Sequence, residues 1–273
     1  MLNDWFYNSP PLLSSSVFIL GAIVASGLVL VVVTRLVSEQ TRHLHNEITL
    51  FTVTNIAVLY TVLLAFIAIA AWEDLSKASD VVKSEASLVQ NLYYDAGGFD
   101  EKALTTELQD HLRRYLHMVV EREWPEQQAG RISDAAAPVL RHTFYALADF
   151  EPKSHGDIIM MQEMLHSLNE LYNTRQARLE AAEGHIPSSV WWVILFLGFL
   201  IVGFTAFLGV RSLWVHFVML AGFTTAIVVV LNLIVQLDFP FRGEISVSAE
   251  PFEHVLSEVG ADRGASTPSG AAR

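Results

Sequence analysis

Four stretches of this chain are as long as a bilayer crossing, about 20 residues of helix, and contain no Asp, Glu, Lys or Arg. They are Ser14–Thr34, Leu50–Trp72, Ser189–Val210 and Trp214–Leu237. In hydrocarbon every backbone N–H and C=O must find its partner inside the protein, which leaves helices or a closed barrel. Alternating strand patterns are absent from the sequence, so the four runs predict helices. Trp72, Trp191, Trp192 and Trp214 stand at their ends, where an aromatic belt meets the headgroups. The fold class expected is an all-α integral membrane protein, with four transmembrane helices and a helical extramembrane bundle between spans two and three.

Charged residues make up 17% of the chain, below the roughly 25% of soluble domains, because the apolar residues are gathered into these blocks. The first run has no basic segment before it and exceeds a signal peptide's apolar core of about 7–15 residues, so it reads as a retained span. With no cysteine, disulfides, thiolate catalysis and cysteine-ligated metals are excluded. A formal net charge of -12 disfavours nucleic acid, which needs a basic footprint.

Four spans place residues 1–13, 73–188 and the tail on one face of the membrane, and the short loops 35–49 and 211–213 on the other. Domains are expected at 1–72 (first hairpin), 73–188 (helical block), 189–237 (second hairpin) and 238–273 (tail). Arg35, Arg42 and Arg211 close to span ends favour the short loops inside. Lys77, Lys83, Arg175, Arg178 and Arg242 flank the other face.

Residues 73–96 continue the second span as an amphipathic helix that Gly97 and Gly98 stop. Residues 100–123 carry Leu104, Leu108, Leu112, Tyr115 and Val119 at three- and four-residue steps, a helical stripe. Ser133–Phe150 and Asp157–Glu183 give two further helices. The end, "GADRGASTPSGAAR", is rich in Gly, Ser, Ala and Pro and is expected to be disordered.

In the second span, Thr52, Asn55, Leu59, Val62, Phe66, Ala70 and Glu73 share one helical stripe. It reads either as a pore face, with Phe66 as an apolar constriction and Glu73 as an acidic rim, or as ordinary helix packing with Asn55 bonded to a neighbour. Glu85 and the pair Arg175 and Arg178 stand at similar distances from their spans. That predicts a structural salt bridge, with an anion site as the alternative. In "LDFPFRG", Pro240 ends the last span and Gly243 allows a sharp turn. Phe239 and Phe241 are expected at the membrane interface. Asp238 sits at a helix C-terminus, the wrong end for an acid, so it needs a partner: Arg242, Arg175 or Arg178. His43, His45 and Glu47 in "HLHNE" have metal-binding side chains but no known ligand spacing. There is no HExxH, GxSxG or Gly-rich phosphate loop, so no enzyme, resident metal or cofactor is expected.

The blocks "LLAFIAIAAWED", "SEASLVQNLYYDA", "YLHMVVEREWPE", "LNELYNTRQARL" and "LDFPFRGEISVSAEPF" resemble the bestrophin-like family of bacterial four-span membrane proteins, over roughly residues 45–255. The resemblance implies kinship with bestrophins, pentameric anion channels whose second span lines the pore and whose helical block is cytosolic. It therefore implies a bacterial inner-membrane protein partnered by the lipid bilayer, by ions and by copies of itself in a symmetric homo-oligomer. It also tilts the block toward the cytoplasm, against the charge bias of the short loops. No bestrophin gating motif can be matched residue by residue, and Glu244, Glu250 and Glu253 are too spread for a calcium clasp. The expected function is an ion channel, with anions by analogy. A cation path past Glu73, or a non-conducting sensor or scaffold, are the alternatives.

Overall fold

The computed structural model describes the backbone of residues 11–266 and the side chains of residues 15–261. The helices run in the order α1 (Pro11–Leu36), α2 (Glu39–Leu44), α3 (Asn46–Asp95), α4 (Lys102–Met118), α5 (Trp124–Gln128), α6 (Ala137–Ala148), α7 (His155–Glu180), α8 (Ser188–Phe207), α9 (Leu213–Leu237) and α10 (Glu250–Ser266). No strand occurs among the described residues. The chain divides into two compact units. One takes the residues up to Asp74 with Gly184–Phe239 and Gly243–Ile245; the other takes Leu75–Glu183, Pro240–Arg242 and the residues from Ser246 onward.

In the first unit, four helices are long and apolar enough to cross a membrane. Tyr60 and Leu64 of α3 pack with Ile194 and Ile201 of α8 and Ile234 of α9. Leu30 of α1 packs with Ala206 and Leu220. Two polar contacts involve buried residues of the spans: Asn232 donates to the Ser15 hydroxyl at 2.7 Å, and the His216 ring lies 3.0 Å from the Thr205 carbonyl. At the short-loop end, Asn46 clasps Gly209, donating to its carbonyl at 3.1 Å and accepting from its N–H at 2.7 Å.

Helix α3 has 50 residues and neither Gly nor Pro, so nothing interrupts its backbone ladder. At 1.5 Å per residue it is about 75 Å long. Past Asp74 it becomes amphipathic. Val82, Ala86, Val89 and Leu92 enter the core of the second unit with Leu104, Leu108, Leu112, Tyr115 and Val119, each large side chain stabilising by about 1.5–3 kcal/mol.

Two elements depart from the expected pattern. The helix expected over 100–123 becomes a π turn over Val119–Glu123 and then runs into α5. Pro125 has no N–H to continue the ladder, and the Trp124 N–H reaches back five residues to the Val119 carbonyl. The extra residue in the turn rotates the helix face, so the consecutive residues Glu123 and Trp124 are both buried. The second departure is the tail. α10 continues to Ser266, into the segment expected to be disordered, while 267–273 lie outside the described residues. Phe252, Val255 and Val259, at three- and four-residue spacing, are buried in the core; that stripe outweighs the glycines around it. Smaller shifts have local causes: Pro138 in the first turn of α6 sets its start after Ala136, and a Ser154–Asp157 capping box starts α7.

Candidate functional site

The most concentrated polar site lies inside the second unit. Arg178 on α7 donates to Glu85 through Nε (2.7 Å) and Nη2 (3.2 Å), to Glu123 through Nη2 (2.8 Å), and to the Gln127 side-chain oxygen through Nη1 (2.7 Å). Arg175, one turn earlier, donates to Glu123 at 2.6 Å and to Asp134 at 2.8 Å. The Tyr115 hydroxyl donates to Glu85 at 2.5 Å, and the Ala136 N–H to Glu123 at 2.8 Å. Glu85, Glu123 and Arg178 are 0% exposed.

Burial by itself would lower the Arg178 guanidinium, but the Glu85 carboxylate, with Tyr115 and Glu123, outweighs it and holds the group above its usual range. Arg175 is likewise lowered by burial and raised, on balance, by Glu123. Burial, and then the charge of Glu85, push the Tyr115 hydroxyl well up, so it remains a donor. Each buried guanidinium is matched by a buried carboxylate, so an anion would find no unmatched charge here. Networks of this kind fix helix register, and here only Nε of Arg175 and the side-chain nitrogen of Gln127 are buried without a hydrogen-bond partner.

The sequence pointed to Glu85, Arg175 and Arg178. It gave no warning of Glu123, Asp134, Tyr115 or Gln127. Glu123 follows Tyr115 and Val119 at four-residue steps, which is a usable signal, although it ends in a "VEREW" run that looks like solvated surface.

Asp238 is met by backbone donors of the loop before α8. Its carboxylate accepts from the backbone N–H groups of His185 (3.0 Å) and Ile186 (2.9 Å), just before α8. An acid at the wrong end of α9 is thereby held by the loop leading into α8. Arg242 lies over Gly130, whose φ of 73° suits glycine; a Cβ there would stand 2.6 Å from the guanidinium. Phe241 lies in the core of the helical unit. It is 1% exposed and packs edge-on against Trp124 at 5.4 Å, while Phe252 packs on the same indole and under Arg178. In the short loop, His43 lies 3.5 Å from Glu39, and no group of three metal-binding side chains converges among the described residues.

The stripe on the second span stands on the opposite side of α3 from the buried Tyr60, Leu64 and Ala71. Thr52 is half-buried, and Asn55, Leu59, Val62, Phe66, Ala70 and Glu73 are exposed in the single chain. Asn55 donates to the Phe51 carbonyl at 2.7 Å and Thr52 to the Ile48 carbonyl at 2.9 Å. Each of these polar side chains thus makes one hydrogen bond within its own helix.

The sequence matches the family described as Bestrophin-like domain over residues 20–252. No curated protein matches the sequence. Among solved structures, a variant of a bacterial bestrophin homologue from Klebsiella pneumoniae superposes with a TM-score of 0.67 at 13% identity, over 90% of this chain and 99% of that one. A second variant of that homologue gives 0.64 at 11% identity, over 88% and 98%. A structure described only as a membrane protein variant gives 0.61 at 12%, over 89% and 96%.

Proposed function

The chain belongs to the bestrophin-like domain family, and from that premise we propose that it assembles into a symmetric ring and conducts ions along an axis lined by α3. The observation that carries this reading is the uncovered stripe from Thr52 to Glu73. A single subunit leaves Leu59 70% and Phe66 69% exposed on the face of α3 turned away from the other spans. Repeated around an axis, the stripe forms a path with hydroxyl and amide groups near one end, apolar rings at Leu59, Val62 and Phe66, and a carboxylate ring at Glu73. Narrow apolar rings resist wetting and act as gates. The ring is a pentamer, and the ions are anions, by analogy with bestrophins; the soluble helical unit then faces the cytoplasm of a bacterial inner membrane.

The test is ion flux from purified protein in liposomes, with anion and cation substitutions. Selective flux is expected, and Glu73→Gln should shift the cation-to-anion ratio toward anions by removing one negative charge per subunit at the mouth. Flux at background for both ion classes would remove the channel reading.

A second reading has its own observation. A groove of about 630 Å³ between α6 and α7 is lined by Ile132, Phe144, Tyr145 and Tyr172, with Arg141 and Arg175. Those four apolar side chains are between 41% and 56% exposed. This supports a partner-binding role for the helical unit, as a sensor or scaffold, which background flux would favour.

A further inference from the structure

Arg42 is 4% exposed, yet it has no acid beside it among the described residues. Its Nη1 reaches the Leu208 carbonyl at 3.5 Å, a marginal contact, and its Nε has no hydrogen-bond partner. The nearby carboxylate of Glu39 turns to His43 instead. This contrasts with Arg175 and Arg178, whose charges are matched inside the protein. A guanidinium removed from water without a counter-charge is strongly unfavourable. The C-terminus of α8 offers it only the partial negative charge of unsatisfied carbonyls.

The position is built. Gly209 packs so tightly on the loop that a Cβ there would stand 2.8 Å from the His43 nitrogen, and Asn46 clamps the same glycine from both sides. Arg42 is therefore held where α1 ends, α3 begins, α8 ends and α9 begins, which is headgroup height for a helix bundle of this length. Around it, Leu36, Leu44, Leu213 and Trp214 are 80%, 77%, 57% and 72% exposed. Such a rim suits acyl chains and a headgroup boundary rather than bulk water.

We propose that Arg42 is a phosphate-binding residue at the short-loop face, and that the phosphate is carried by an anionic phospholipid headgroup whose chains lie on this apolar rim. Guanidinium suits the task because its planar fork matches phosphate oxygens. The site is independent of the conduction reading and would stand if the protein passed no ions.

The experiment is lipid titration of the purified full-length protein in detergent, read as bound lipid by native mass spectrometry and as melting temperature. Phosphatidylglycerol is compared with phosphatidylcholine and, separately, with inorganic phosphate. Saturable binding of phosphatidylglycerol is expected, and Arg42→Gln should weaken it about tenfold or more, the scale of one charged hydrogen-bonding partner. Arg42→Lys should keep part of the binding, and the exposed Arg211→Gln should leave it unchanged. In lipid-free detergent Arg42→Gln should melt no lower than the parent, since it removes a charge the protein does not match. Equal phosphatidylglycerol binding by parent and Arg42→Gln would overturn the proposal. So would loss of assembly or stability in Arg42→Gln without lipid, which would assign the charge to an acid of a neighbouring copy. If inorganic phosphate binds as tightly as phosphatidylglycerol, the lipid source falls.

Discussion

Helix α3 meets two different environments along one continuous backbone. Before Asp74 its large apolar side chains stand bare, with Leu59, Phe66 and Trp72 at 70%, 69% and 61% exposure. After Leu75 the same helix buries even a carboxylate, Glu85, completely. Hydrophobicity alone does not decide which residues of this chain are covered by its own atoms. In a span, lipid or a neighbouring copy covers apolar groups at no cost, so the chain need not. In the helical unit water is the alternative, and a buried charge is costly unless an opposite charge and hydrogen bonds meet it, as Glu85 and Glu123 meet Arg178. The bare half is thus open to assembly and the closed half is self-sufficient.

The sharpest way to break this contrast is to remove one member of the buried network. Arg178→Ala leaves Glu85 and Glu123 in the core without their shared partner, and should cost on the order of 3–5 kcal/mol. Thermal unfolding followed by circular dichroism in one detergent would show it. The paired change Glu85→Gln with Arg178→Met should recover part of the loss, since matched neutral groups need no counter-charge. A neutral outcome for Arg178→Ala would mean that water reaches the site.

Asp238 comes next. Asp238→Ala leaves the His185 and Ile186 N–H groups without their acceptor, which should cost about 1–3 kcal/mol. Asp238→Asn keeps one oxygen and should cost less. Equal melting temperatures for all three proteins would show that the α9–α8 connection does not depend on this acid.

These predictions rest on parts of the molecule that differ in how far the sequence reveals them. The spans were legible because a charge-free run of that length has few alternatives in water. The stripe of Leu104, Leu108 and Leu112 was legible because a leucine every fourth residue marks a helix face. Glu123 continues the four-residue steps of Tyr115 and Val119, but it was hidden because it stands in the charged run "VEREW", which reads as solvated surface. Asp238 was read as an acid in need of a partner, with arginines as the candidates; the backbone N–H donors of His185 and Ile186 could not be foreseen, because donors from a distant loop leave no trace in side-chain chemistry. The stripe on α3 was visible as a pattern, but a stripe turned toward an axis and one turned toward lipid read alike in one chain.

Phe66 sharpens the other half of the comparison. Its side chain is bare in the single subunit, so Phe66→Ala should change the stability of the subunit fold by less than about 0.5 kcal/mol, while raising ion flux through the widened apolar ring. A cavity-sized loss of about 3–5 kcal/mol with flux at background would mean that Phe66 packs against another copy and that the stripe is an interface rather than a path. Flux and melting on one preparation distinguish these.

The smallest effect expected lies at the edge of the closed half, at His111. Burial lowers its pKa from the usual 6.5, Glu107 raises it in part, and Arg114 and His142 lower it again, with Asp110 a minor opposing charge. The His142 ring stands 6.3 Å away, and Nδ1 of His111 has no hydrogen-bond partner, so no acceptor holds a proton on that nitrogen and burial prevails. The unfolded chain therefore binds that proton at a higher pH than the folded one. The stability tied to neutral His111 is then fully present above 6.5 and is lost as pH falls through that value toward the lower folded pKa. Melting temperature between pH 7.5 and 5.5 should fall for the parent, and fall less for His111→Gln, the difference isolating this residue from the other histidines. Parallel curves would mean that His111 titrates alike in both states and that water reaches its ring, so that this edge of the closed half is open to solvent.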